Sequence, residues 1–199
     1  MTAVLHSQGW ELKNIRGLKI SMITLILGGM NSGKSAYAED ILVRLSGNNK
    51  RYYVATMRLT DKDSRLRREK HRRQRQGKDF ETIEEEMDLK KVADSLNAGA
   101  FVLLECIANL TGNLMFSDES FSEDEIKEKV LKDVDKLSNK CRELVIVSSQ
   151  YPLEDEGYDE STKKYVKLLD TVNEALKEES DTVLELSSEG IMLLKGKAV

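Results

Sequence analysis

The chain has 199 residues, 40% of them hydrophobic and 33% charged, with a formal net charge of −4. That length suits one compact domain, and the negative balance excludes a molecule that holds nucleic acid through its overall charge. No run approaches the ~18 apolar residues that a bilayer span needs, and Ala3-Val4-Leu5 is too short for a signal core, so a cytoplasmic location is expected.

Residues 1–21 lack clear periodicity and read as an N-terminal extension, which leaves residues 22–199 as a single domain. Met22 to Leu27 is an apolar run that ends in glycines, the pattern of a buried strand entering a turn. Lys34 to Leu45 carries helical apolar spacing closed by Gly47. Arg51 to Thr56 reads as a second strand, Asp61 to Gln76 as a polar helix, and Phe80 to Ile83 as a short strand. Asp88 to Leu96 is expected as a helix stopped by Gly99, and Phe101 to Leu104 as a buried strand. Ser122 with Glu125 forms a capping box for a helix running to about Leu137. Leu144 to Val147 is a further buried strand, and Lys163 to Leu176 an amphipathic helix. Thr182 to Leu186 and Ile191 to Leu194 flank Ser-Ser-Glu-Gly, which predicts a C-terminal β-hairpin. Strands that are apolar throughout and alternate with helices predict an α/β fold of the P-loop NTPase kind, a mainly parallel sheet flanked by helices.

The two cysteines, Cys106 and Cys141, lack metal-ligand spacing. Both are expected as thiols, Cys106 as a small buried packing residue, and no structural zinc is expected.

Gly28-Gly29-Met30-Asn31-Ser32-Gly33-Lys34-Ser35 fits the phosphate-loop pattern G-x-x-x-x-G-K-S/T, between a strand and a helix as that motif requires. Its glycines let backbone N–H groups wrap the phosphates, and the helix start adds a favourable dipole. Lys34 should reach the β- and γ-phosphates of ATP or GTP, and Ser35 should ligate Mg²⁺. Glu105, at the end of the Phe101 strand, is a candidate for Mg²⁺ or nucleotide contact; a strand-end carboxylate facing solvent is the alternative.

Seven of the eleven residues from Arg65 to Arg75 are Arg or Lys, and Leu66 is the only large aliphatic among them. A helix of that composition has almost no face for a core, and a polyanion would make it useful. His71 sits among Arg67, Arg68 and Arg75, cations that disfavour imidazolium, and a neutral imidazole is a competent nucleophile towards phosphorus. Composition alone favours a solvated basic surface helix in which the histidine is incidental. An RNA-binding patch is a third reading, although no stacking aromatics are interleaved.

Taken in order, these pieces resemble the bifunctional adenosylcobinamide kinase / adenosylcobinamide-phosphate guanylyltransferase family of cobalamin biosynthesis. The resemblance covers about Ile23 to Gly196. It rests on the phosphate loop and first helix (25–39), Tyr53-Val54-Ala55-Thr56, and Asp61 and Asp63 followed by Arg67-x-x-x-His71-x-x-x-Arg75. It continues through Phe80-Glu81-Thr82-Ile83-Glu84, then Leu103-Leu104-Glu105-Cys106 with Asn113 and Leu114, and Asn173 in the late helix. It implies that His71 accepts GMP from GTP as a phosphoramidate, and that a γ-phosphate passes to the aminopropanol hydroxyl of adenosylcobinamide. It makes Lys34 and His71 the catalytic pair. Ala55, Thr56, Met57, Arg72, Arg75, Glu84 and Glu105 join the loop residues in holding nucleotide, with Glu84 and Glu105 at the guanine nucleotide. It also implies a homo-oligomer, a trimer, with a nucleoside triphosphate and a corrinoid as substrates.

The chain departs from the family at Ser149-Gln150-Tyr151-Pro152, at Asp170-Thr171 and at Asn31. The changes at 149–152 and 170–171 motivate a competing reading, a divergent paralogue that binds GTP or ATP without transfer; an unrelated P-loop kinase for another small alcohol is a third.

Overall fold

A computed structural model describes residues 21–197. The reading of residues 1–21 as an extension lies outside them except at Ser21, which is buried.

Seven strands and six helices follow one another: β1 (Met22–Gly28), α1 (Lys34–Ser46), β2 (Arg51–Ala55), α2 (Lys62–Gln74), β3 (Phe80–Glu84), α3 (Leu89–Ser95), β4 (Ala100–Glu105), α4 (Ile107–Met115), α5 (Glu123–Ser138), β5 (Cys141–Val147), α6 (Glu160–Glu179), β6 (Thr182–Ser187) and β7 (Gly190–Lys195). They build one sheet in the order β3-β2-β4-β5-β1-β6-β7, parallel throughout except for β7, which returns antiparallel to β6. This is the expected α/β architecture with its C-terminal hairpin.

The inner strands are the most apolar because both their faces are covered. Leu25, Ile26 and Leu27 of β1, Val102, Leu103 and Leu104 of β4, and Leu144 to Val147 of β5 are all fully buried. Helices close over them with apolar stripes such as Ile126, Val130, Val134 and Leu137 of α5, whose start is fixed by the Ser122–Glu125 capping box. At the far edge, β7 leaves Ile191, Met192, Leu193 and Leu194 exposed.

Several boundaries differ from the sequence expectation. The short helix α4 was not expected; its N-cap is Cys106, which makes no side-chain cap bond, and Gly112 lies within it. Strand β5 starts at Cys141 rather than Leu144, because backbone pairing with β1 and β4 continues through the charged Glu143. Helix α6 starts at Glu160 rather than Lys163, fixed by Asp159, whose carboxylate accepts from Thr162 N.

Gly28 closes β1 where the chain must pass β6: a Cβ here would collide with the Leu186 carbonyl oxygen and stand 2.7 Å from Ser32 Oγ. Gly28→Ala is therefore expected to lower stability by roughly 1–3 kcal/mol, the usual cost of forcing an extra carbon into a packed site. Chemical denaturation would show it as a lower midpoint, and an unchanged midpoint would contradict the close approach.

Candidate functional site

The phosphate loop joins β1 to α1. Gly29, Met30, Asn31 and Gly33 form its exposed rim, with Met30 73% exposed at the tip. Gly33 caps α1 in the left-handed region at φ 85°, and no side chain fills the cap position. The first-turn N–H groups of α1 thus point into an open concavity, the arrangement that attracts phosphate. Lys34 is buried and its Nζ donates to the Gly29 carbonyl at 2.9 Å, folded back across its own loop.

Strand β5 lies between β1 and β4, so the ends of β1 and β4 stand one strand apart. Ser35 bridges that gap and donates to Glu105 Oε1 at 2.8 Å. Glu105 Oε2 is buried with no partner, and burial pushes the carboxyl up to about 7 against the opposing pull of the Ser35 hydrogen bond and Lys34. The expected alternative of a carboxylate simply facing solvent does not fit this geometry. A hydroxyl and one carboxylate beside an anion site is a donor set that suits Mg²⁺, which takes few protein ligands and completes its shell with phosphate oxygens and water. Among the described residues no group of three or more His, Cys, Asp or Glu forms a metal cluster.

Helix α2 forms the opposite wall. Asp61 and Ser64 cap its start reciprocally, and Ser64 is the helix's only buried residue; even Leu66 is 53% exposed. Polar contacts hold it to the sheet. Arg75 at its C-cap is buried, with its guanidinium 3.4 Å from the centre of the Tyr53 ring. Arg68 meets Glu84 at 3.3 Å. Just beyond the helix, Lys78 donates to Glu39 at 2.9 Å and Asp40 at 2.7 Å on α1.

His71 is half-buried with Nδ1 unpartnered. Burial first, then the charges of Arg75, Lys70, Arg67 and Lys34, hold its imidazole below the ordinary histidine range, so the ring is neutral near pH 7. His71, Lys34, Ser35 and Glu105 all line one cleft of about 310 Å³ with the loop residues from Met30 to Gly33 and with Met57, Arg67 and Lys70.

Strand register creates a second feature. Ala55 on β2 pairs with Glu84 on β3 and with Glu105 on β4, so the two acidic residues flank it at the strand ends with their backbones about 10 Å apart. A narrow slot there is lined by Ala55, Met57, His71, Arg72, Arg75, Glu84 and Glu105. Thr56 lies beneath, fully buried: its hydroxyl donates to the Cys106 carbonyl and accepts from Cys106 N, both at 2.8 Å. Its side chain therefore braces the β2–β4 junction and presents no surface to a ligand. Asn113 and Asn173 also act in the frame. Asn113 donates to the Thr56 and Glu86 carbonyls, while Asn173 accepts from Ser148 Oγ and donates to the Ser149 carbonyl. Sequence reasoning assigned no site role to Tyr53, which lies beneath Arg75; Tyr151, singled out only as part of the departure at 149–152, stands on the cleft wall.

The profile of the cobinamide kinase / cobinamide phosphate guanyltransferase family matches residues 24–194. The bifunctional adenosylcobalamin biosynthesis protein CobU of Escherichia coli is 32% identical over 96 residues, a match that spans about half of that protein (51%) and 48% of this chain. The bifunctional adenosylcobalamin biosynthesis protein CobP of Pseudomonas aeruginosa is 29% identical over 177 residues, covering 88% of this chain and 99% of that protein. A solved ATPase domain superposes with a TM-score of 0.51 at 10% identity, over 90% of this chain and 78% of that one, which reflects the shared P-loop fold. With the phosphate loop, the basic helix and the two strand-end acids in place, and a profile match spanning nearly the whole chain, this protein belongs to the cobinamide kinase / cobinamide phosphate guanyltransferase family.

Proposed function

We propose that this chain is a bifunctional enzyme of cobalamin biosynthesis that phosphorylates adenosylcobinamide and then transfers GMP from GTP to the phosphorylated product through His71. The observation that carries the proposal is the shared cleft: a neutral histidine in a cationic wall faces the same space as Lys34 and the Ser35–Glu105 pair.

In the kinase half, the loop amides and Lys34 hold the β- and γ-phosphates of ATP or GTP; the aminopropanol oxygen forms a bond to the γ-phosphorus as the bond to the β,γ-bridging oxygen breaks, the nucleoside diphosphate leaves, and the hydroxyl proton passes to solvent. Ser35 and Glu105 would hold Mg²⁺, which neutralises charge on the phosphate oxygens when bound. In the guanylyl half, an imidazole nitrogen of His71 attacks the α-phosphorus of GTP. An N–P bond forms, the bond to the bridging oxygen breaks, and pyrophosphate leaves with its charge met by Arg67 and Lys70. The ring releases the proton of its other nitrogen to solvent. A phosphate oxygen of adenosylcobinamide phosphate then attacks the same phosphorus and displaces the imidazole, giving adenosylcobinamide-GDP. Glu84 and Glu105, set either side of Ala55, suit the donor groups of a guanine base, with Arg72 and Arg75 beside them.

The exposed row Ile191–Leu194, on a strand that is the sheet edge among the described residues, favours a homo-oligomer, for which the family resemblance suggests a trimer. No helix among the described residues is long and apolar enough to cross a membrane, which agrees with a cytoplasmic enzyme.

Incubation with α-labelled GTP and Mg²⁺ is expected to leave label on the protein that acid removes and base does not, the stability of an N–P bond, and His71→Ala should abolish it. Nucleotide binding without label on the unaltered chain would favour the divergent binding module instead. The labelling rate should also depend on pH. Only the neutral ring attacks, and its protonation is depressed, so the rate should hold as pH falls to the ordinary histidine range near 6.5 and drop only below it. Lys70→Gln removes a cation that opposes protonation, so the acid limb should move to higher pH; a limb that stays put or moves lower would contradict the electrostatic account.

A further inference from the structure

The cleft has a second wall, facing the basic helix, that the two half-reactions leave without a task. It consists of Ala108 and Asn109 at the start of α4 and Ser149 and Tyr151 in the segment after β5. That segment is firmly held. The buried Asn173 bonds both Ser148 and Ser149, and Gln150 N donates to the Gly28 carbonyl at 3.1 Å. Tyr151 follows directly.

Its ring is the first of three in a row. Tyr151 stands 6.3 Å from Tyr165 at 53°, and Tyr165 stands 6.3 Å from Phe116 at 41°. The Tyr165 hydroxyl donates to the Ala108 carbonyl at 2.9 Å, which fixes the middle ring. Phe116, the C-cap of α4, is 58% exposed. The row thus leads from beside the phosphate loop to the protein surface. Of the three rings only Tyr151 lines the cleft, with Tyr165 packed behind it and Phe116 beyond, and an aromatic face on a cleft wall is the kind of surface that binds an apolar ligand.

Topology limits what that can be. Tyr151 leaves the end of β5, the strand between β1, with its phosphate loop, and β4, with Glu105. It therefore borders the place where Lys34 and Ser35 meet the terminal phosphates. The slot flanked by Glu84 and Glu105, which suits a guanine base, lies on the other side, at the ends of β2 and β3. What rests against Tyr151 is thus next to the reacting phosphate yet is not that base.

We propose that Tyr151, backed by Tyr165 and Phe116, is the platform on which the corrin ring of the acceptor lies, making Tyr151 a specificity-determining residue for the second substrate. This rests on the transferase reading above. The chemistry fits both ends of the acceptor. A corrin is a broad, nearly flat macrocycle with an apolar face and amide-bearing edges, which suits the Tyr151 ring held on the cleft wall by the tilted rings behind it. Its side arm, once phosphorylated, is anionic and suits the facing wall of Arg67, Lys70 and His71.

The test is calorimetric binding of adenosylcobinamide to the full-length chain loaded with Mg²⁺ and a non-hydrolysable GTP analogue. The unaltered chain should bind the corrinoid. Tyr151→Ala should weaken that binding roughly tenfold, as expected for loss of one stacked aromatic, while Tyr151→Phe, which keeps the ring, should stay within about twofold. Phe116→Ser, a surface change that spares the fold, should weaken it by about threefold. Affinity for the GTP analogue should be the same in all four proteins. No corrinoid binding by the unaltered chain, equal corrinoid affinity in Tyr151→Ala, or a matching loss of analogue affinity in that variant would each overturn the proposal. The transferase reading fails separately, through absence of GTP-derived label on His71, a step that needs no corrinoid.

Discussion

Parallel strands joined by helical crossovers all finish at one edge of their sheet, and the loops leaving that edge are where such a fold can place chemistry. Here β1 through β6 obey that constraint, and β1 to β5 each supply something at or beside their ends. The phosphate loop leaves β1, Ala55 and Met57 mark the end of β2, Glu84 ends β3, Glu105 ends β4, and Tyr151 follows β5. Residues as far apart in sequence as Ser35 and Glu105 meet at 2.8 Å only because the sheet order leaves a single strand between theirs. Were one strand reversed, its residue would leave the cleft for the opposite edge.

The electrostatics of the cleft follow from what surrounds it. Lys34, Arg67, Lys70 and Arg75 converge on a space whose nearest carboxyl, Glu105, is itself pushed towards neutrality by burial. Without a ligand these cations repel one another, and a triphosphate relieves that repulsion when it enters. The same surroundings act on His71: its burial first, and then the neighbouring cations, disfavour the imidazolium form.

Much of this was legible in the chain itself. The apolar runs of β1, β4 and β5, the glycine spacing of the phosphate loop, the Ser122–Glu125 box and the Ser-Ser-Glu-Gly turn each carry a local physical signal, and the fold follows from adding them. Helix α4 escaped because Cys106 offers no cap signal and its nine residues are too few to show a period beyond doubt against the strand before it. The start of β5 escaped because Arg142 and Glu143 look like loop, while their pairing is decided by backbone hydrogen bonds that charge does not forbid. At the site, the composition of residues 65–75 marked a basic helix but by itself favoured a solvated surface, and the aromatic wall could not be read. Phe116, Tyr151 and Tyr165 have no common spacing, and only the packing of α4, α6 and the segment after β5 brings them into line. Thr56 shows the opposite limit: its position beside the site is real, yet hydrogen bonds to Cys106 commit its side chain to the frame.

Helix α2 contributes to the cleft without contributing to the core. Only Ser64 is buried within it, and the helix is held by ring stacking, ion pairs and its caps. Apolar packing restricts side chains by shape, whereas attraction to a polyanion restricts mainly the count and sign of charges. The exposed positions Arg65, Arg67, Lys70, Arg72 and Arg73 can thus drift between lysine, arginine and glutamine with little effect on folding. Each such exchange alters the positive charge of this wall, and with it how steeply its attraction for any anion falls as ions screen it. A lineage moving between dilute and saline interiors could retune the enzyme at this one helix while leaving the sheet untouched.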